Sequence, residues 1–268
     1  MRLIAAIGLV NLGVVAAPQI VGAASIACTT ADLLTAISAA NGQVGGGTVS
    51  LAPGCTYTMT AVNNSVDGNN AFPDIVGDVT VIGNGATITR PTSGAPNFRF
   101  FMVDEGGSLS LSDLTLSNGS NPPGDLHGGG AILNRSQLTV NGVSFLNNRA
   151  LASTGGGAID NHDMGRMTVT LSTFTGNVGL QGGAIEDEAT LCHTTTPACG
   201  QATVAQSTFT NNSTTMFGGG AFEAQLNQPG VVLCQPTWPQ PVSCQQAGGA
   251  HATLIGNTFS GNTAMTEG

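Results

Sequence analysis

GGGAILN (Gly128–Asn134), GGGAIDN (Gly155–Asn161), QGGAIED (Gln181–Asp187) and GGGAFEA (Gly218–Ala224) are four versions of one phrase. The glycines and the Ala-apolar pair persist. The next residue changes from Leu133 to Asp160, Glu186 and Glu223. A second phrase travels with the first: FLNN at Phe145, FTGN at Phe174, FTNN at Phe209 and FSGN at Phe259. Each copy of it follows a short alternating run, LTVNGVS at Leu138, MTVTLST at Met167, ATVAQST at Ala202 and ATLIGNT at Ala252. Alternation of apolar and polar residues is the signature of a strand, and the Asn-Gly and Gly-Asn pairs mark turns. Units this short cannot bury a face alone, so they must stack on one another.

Stacking strand on strand, coil after coil, gives a parallel β-solenoid. Inward columns take Ile, Val, Leu and Phe; corners take Gly and Asn, which tolerate positive φ. In FxxN the Phe belongs in an interior stack and the Asn at a corner, where its side chain can satisfy backbone groups.

GGA[ILV] paired with FxxN resembles the repeats of the chlamydial polymorphic outer membrane proteins, and more widely the right-handed parallel β-helix proteins of the pectate lyase-like superfamily. The likeness covers Ile75 to Gly268. DVTVIGNGATITR (Asp78–Arg90) and FRFFMVDEGGSLSLSDLTLSNG (Phe98–Gly119) are similar to the opening coils of secreted β-helix proteins. The resemblance implies an all-β, right-handed parallel β-helix. It leaves activity open, because that fold hosts lyases, hydrolases, adhesins and passenger domains.

The ends bound the solenoid. Arg2, the apolar Leu3–Ala17 and small residues around Val21–Ala24 predict a secretory signal over residues 1–24, so the protein is expected to be secreted or at the cell surface. Residues 25–74 are read as an N-terminal cap and first strands, and 75–268 as the β-helix repeats. Within the cap, TTADLLTAISAANG (Thr29–Gly42) predicts a helix with Thr30 as N-cap, Asp32 in the first turn and Gly42 past its end. Leu33, Leu34, Ile37 and Ala40 share one face, which could cover the open first coil. At the other end NTAMTEG stops at Gly268 where a further Gly-Gly would begin, so the repeats are expected to be cut in mid-coil.

Composition narrows the function. The chain has 268 residues, 8% of them charged, no lysine and a net charge of -9. That balance argues against nucleic acid and anionic membranes, and no later stretch is apolar enough to span a bilayer. Six cysteines fall in local pairs, Cys28 with Cys55, Cys192 with Cys199 and Cys234 with Cys244. Disulfides suit an exported chain, and the spacings do not fit paired CxxC metal motifs.

One side of the coil swells. From the Ala of GGA to the Phe of FxxN the steps are 14, 16, 25 and 38 residues, whereas from Phe to the next Ala they are 13, 10 and 12. Both long insertions carry their own cysteine pair. The second, VVLCQPTWPQPVSCQQ, holds Trp238 between prolines, an arrangement suited to binding a glycan or a host or cell-surface protein.

Leu133, Asp160, Glu186 and Glu223 should form one column facing away from the core, because the Ile or Phe before each faces in. Stacked carboxylates about 4.8 Å apart repel by roughly 1 kcal/mol in water. Three readings follow. The acids are solvated near a turn, which is the preferred expectation. Alternatively Asp160, Asp163, Glu186, Asp187 and Glu188 hold Ca²⁺, or two of Asp160, Glu186 and Glu223 act as a glycosidase pair. His127, His162, His193 and His251 lack HxxxH spacing, although His162 lies near Asp160 and Asp163. Lyase chemistry on acidic sugars needs a basic group, and Arg135, Arg149 and Arg166 are the only arginines from the first GGA phrase onward. The expected function is therefore a non-catalytic exported scaffold, adhesin-like or a passenger stalk, without a cofactor; the alternative is a carbohydrate-active enzyme.

Overall fold

The computed structural model describes residues 25–122, 124–150, 155–189, 200–216, 218–226, 242–243 and 251–265. The expected signal over residues 1–24, and Cys192, Cys199, Cys234, Trp238 and Cys244, lie outside them. The described residues form an all-β, parallel, solenoid-like stack with one helix at its N-terminal end.

Each coil contributes strands to more than one sheet. The largest sheet stacks Gln137–Asn141, Arg166–Thr170, Gln201–Ala205 and His251–Ile255 in parallel, Leu138 over Met167, Ala202 and Ala252. It also stacks Ser144–Leu146, Thr173–Thr175, Thr208–Thr210 and Thr258–Ser260. Val242–Ser243 pairs antiparallel with His251–Ile255 at its edge. A second sheet stacks Phe101–Val103, Ile132–Asn134, Ile159–His162, Ile185–Ala189 and Phe222–Leu226. A narrow third ladder joins Val178–Gly179 to Ser213–Thr214.

Because the coils lie in register, like residues pile up. Phe145, Phe174, Phe209 and Phe259 form one ring stack, with centroids 4.6, 4.6 and 4.9 Å apart. Leu138, Val140, Met167, Val169, Ile132, Ile159 and Ile185 are among the residues that pack the interior around them. Beside the rings, the corner asparagines form a ladder. Asn148, Asn177 and Asn212 each give their backbone and side-chain N–H groups to the Oδ1 of the next coil's asparagine. The same side-chain amides also reach the carbonyls of Leu116, Phe145 and Phe174. Such pairing is what a buried corner demands, since an unmet amide there costs about 1–3 kcal/mol. The residue before each asparagine turns the chain through positive φ, from 54° at Asn147 to 64° at Gly176.

The helix runs Thr30–Asn41 and lays Leu33, Ile37 and Ala40 against the core. Its N-cap is Thr29, one residue earlier than the sequence reading placed it. The reason is geometric: the Thr29 hydroxyl accepts the Asp32 N–H at 3.1 Å. Cys28 and Cys55 form the expected disulfide, Cα atoms 5.8 Å apart, which ties the helix to the first coil. Among the described residues no helix is long and apolar enough to cross a membrane.

The repeated glycines answer to packing. A methyl group at the second glycine of the phrase would stand 2.1 Å from the carbonyl oxygen of Ile132, Ile159 or Ile185 in turn, at Gly129, Gly156 and Gly182. The chain folds back on itself there so tightly that only glycine fits.

Candidate acidic–imidazole site

The second sheet carries the variable column. Register places Leu133, Asp160, Glu186 and Glu223 directly over one another. Ile159 and Ile185 point into the core, so strand alternation turns Asp160 and Glu186 to the opposite face. The expectation that these acids are solvated is overturned. Asp160 and Glu186 have no exposed surface and Glu223 keeps 8%. The cause is the glycine segment, which folds back over that face. The Gly128 N–H donates to Asp160 Oδ2 at 2.8 Å. A methyl at Gly155 would come within 3.0 Å of the same oxygen, and one at Gly218 would collide with Glu223 Oε2. Glycine is therefore the residue that lets a backbone lie directly on a carboxylate.

Two residues further along each strand the same face carries His162 and Glu188, which are register partners. His162 Nδ1 stands 3.2 Å from Glu188 Oε2 and 4.0 Å from Asp160 Oδ1, while Nε2 lies 3.5 Å from Asp163 Oδ2. The ring of His127 tilts against that of His162, centroids 4.4 Å apart. Donor atoms of Asp160, His162 and Glu188 all fall within 4.8 Å of one another. Asp187, grouped with these acids in the sequence reading, belongs elsewhere. It shares the side of Ile185 and accepts from Asn161 Nδ2 at 2.6 Å, and Asn161 in turn accepts from Asn134 Nδ2 at 2.6 Å.

Burial governs the charges. It raises Asp160 to about 6, against the opposing pull of His162, and Asp187 to about 7, against the Asn161 hydrogen bond. Glu186 is pushed well above its ordinary range by burial first and then by Asp160, Glu188 and Glu223. Glu223 rises to about 7, again chiefly through burial. Burial works against a charged His162, but the hydrogen bond to Glu188 and the surrounding acids outweigh it and lift the imidazole to about 8. His127 moves the other way, to about 4, through burial and the His162 charge.

A neighbouring buried pair went unnoticed in the sequence. Arg99 is fully buried and ion-paired with Asp125, and it also donates to the carbonyls of Asp67 at 2.6 Å and His127 at 3.1 Å. Nothing in FRFF distinguished that arginine from a surface one. His162 and Glu188 did carry a signal, because aligning GGAIDNH with GGAIEDE sets His over Glu two residues after Asp over Glu.

The chain matches no protein-family model and no curated protein.

Proposed function

We propose that the protein is an exported or cell-surface, non-catalytic scaffold built on a right-handed parallel β-helix, adhesin-like or a passenger stalk. The observation that carries this reading is the burial of the carboxylates stacked in the second sheet among the described residues. A glycosidase needs two carboxyl groups flanking the scissile bond with room for substrate and water. Asp160 and Glu186 have no surface at all, and backbone glycine covers them. A sugar ring has no route to either without unfolding the coil.

The resemblance of the GGA and FxxN phrases to the polymorphic outer membrane protein repeats supports the same class, as do the signal-like residues 1–24 and the cysteine-bracketed insertions. On this reading the regular coils are support, and the insertions after Ala189 and Leu226 do the binding, to a glycan or to a cell-surface protein, with Trp238 as an anchor. Ala189 and Leu226, the last described residues before the two insertions, are register partners on neighbouring coils.

The test pairs two assays on the full chain. Incubation with a broad glycan panel is expected to release no oligosaccharide, while glycan or cell-surface binding falls in Trp238→Ala. Depolymerisation that disappears in Glu186→Gln would overturn the reading in favour of a carbohydrate-active enzyme.

A further inference from the structure

We propose that Asp160, His162 and Glu188 bind one divalent first-row transition-metal ion of the Zn²⁺ or Mn²⁺ kind. The site lies beneath the scaffold's glycine cover, away from solvent, and goes beyond the display role.

Three observations converge. First, the donor set is mixed: one imidazole nitrogen and two carboxylates within 4.8 Å of one another. Donors held on a tetrahedral ion at about 2.0–2.1 Å lie about 3.3 Å apart. His162 Nδ1 and Glu188 Oε2 already stand 3.2 Å apart, Asp160 Oδ1 is 4.0 Å from His162 Nδ1, and the whole set, within 4.8 Å, must tighten by up to about 1.5 Å on the ion. Secondly, Asp160 has no exposed surface, and its Oδ1 has no hydrogen-bond partner although Oδ2 takes the Gly128 N–H. Glu186, also without exposed surface, sits over Asp160 and shares the strand face of Glu188. Buried carboxylates in this state require a cation or a proton; His162 brings at most one positive charge to Asp160, Glu186 and Glu188, and Arg99 is already paired with Asp125. Thirdly, the imidazole is oriented as a ligand. Its Nε2 faces the Asp163 carboxylate at 3.5 Å and its Nδ1 faces Glu188 and Asp160, so metal binding releases the proton that Nδ1 shares with Glu188 and keeps the Nε2–H beside Asp163. A carboxylate behind a metal-bound histidine fixes the tautomer in this way. The nitrogen donor selects against Ca²⁺, which prefers oxygen.

Binding is tested on the full chain, unfolded and refolded with chelator, then with Zn²⁺, Mn²⁺ or Ca²⁺. The expected result is one Zn²⁺ or Mn²⁺ retained per chain after desalting, with a raised thermal midpoint. His162→Asn and Glu188→Gln are expected to weaken binding at least tenfold, and Asp163→Asn by about 10–100-fold. Asp113→Asn, at an exposed positive-φ position within Ser108–Ser117, should leave it unchanged. Should the ligand variants fail to fold, Co²⁺-loaded wild type serves instead. It is expected to show a paramagnetically shifted, exchangeable imidazole proton from the Nε2–H. No retained metal, Ca²⁺ binding that survives His162→Asn, or a Co²⁺ spectrum without that proton would each overturn the proposal.

Discussion

Asn177 donates both its backbone N–H and its side-chain amide to Asn212 Oδ1, each at 2.9 Å. Its own Oδ1 receives the same two bonds from Asn148. Each corner asparagine is thus satisfied only because the coils on either side repeat it.

Removing one rung should therefore cost more than one hydrogen bond. Asn177→Ala strands the two Asn148 donors and the Phe145 carbonyl in a buried corner. At about 1–3 kcal/mol for each unmet group, a loss of ~3 kcal/mol or more is expected in equilibrium denaturation. Asn262, at the last described rung and partly exposed, should lose clearly less as Ala. Equal losses at the two positions would contradict the ladder.

The ring stack gives a parallel comparison. Phe174 is fully buried between Phe145 and Phe209, whereas Phe259 has one ring neighbour among the described residues and is 37% exposed. Phe174→Ala is expected to cost about 3–5 kcal/mol, with Phe259→Ala distinctly milder. Chemical denaturation of both variants measures the difference.

At the other turn of the large sheet the corner position carries Gly142, Leu171, Gln206 and Gly256, all near φ 50–60°. Leu171 holds φ 52° while its side chain is 58% exposed, so it gains little packing for a conformation branched chains avoid. Leu171→Gly is expected to raise stability by about 1 kcal/mol. A destabilised variant would show that Leu171 makes contacts beyond those described.

The glycine cover is tested by contrast. Gly155 has φ 109°, and a methyl there would stand 2.1 Å from Gly128 Cα. Gly106 also has positive φ, 82°, but open space around it. Gly106→Ala should cost only about 1 kcal/mol of backbone strain. Gly155→Ala should cost several times more, measured as the shift in denaturation midpoint.

Charge burial predicts a pH dependence for metal-free protein. Glu223 rises from 4.5 to about 7 on folding and Asp187 from 3.8 to about 7, so the folded state holds more protons than the unfolded one across that range. Their contribution is fully present below the unfolded values and is lost as pH climbs through 7. His162, raised from 6.5 to about 8, acts in the same direction. His127, lowered from 6.5 to about 4, opposes them only below 6.5. With chelator present, stability should fall between pH 6.5 and 8.5, and Glu223→Gln should flatten that fall. A flat or rising wild-type profile would contradict the assigned burial.

Much of this was legible from the residues. The alternating runs, the Phe and Asn of FxxN, and the match of Leu133, Asp160, Glu186 and Glu223 each follow from a repeat read in register, because strand period and coil stacking are local properties. The direction of the acid column was also legible, since Ile159 and Ile185 fix which side is inward. Its burial was not. That depends on how three glycines fold back over a neighbouring coil, and a glycine run alone does not say where it lies. Asp187 was misgrouped for a related reason: adjacency in IED reads as proximity, whereas alternate residues of a strand face opposite ways.

The register of the coils beneath their glycine cover is tested most directly by carbodiimide labelling of carboxylates in the native chain, located by mass spectrometry. Glu105 and Asp113 are exposed, whereas Asp160, Glu186 and Asp187 have no accessible surface. The first two should react rapidly and the other three only when the chain is unfolded. Native labelling of Asp160 and Glu186 at the rate of Glu105 would contradict the buried column.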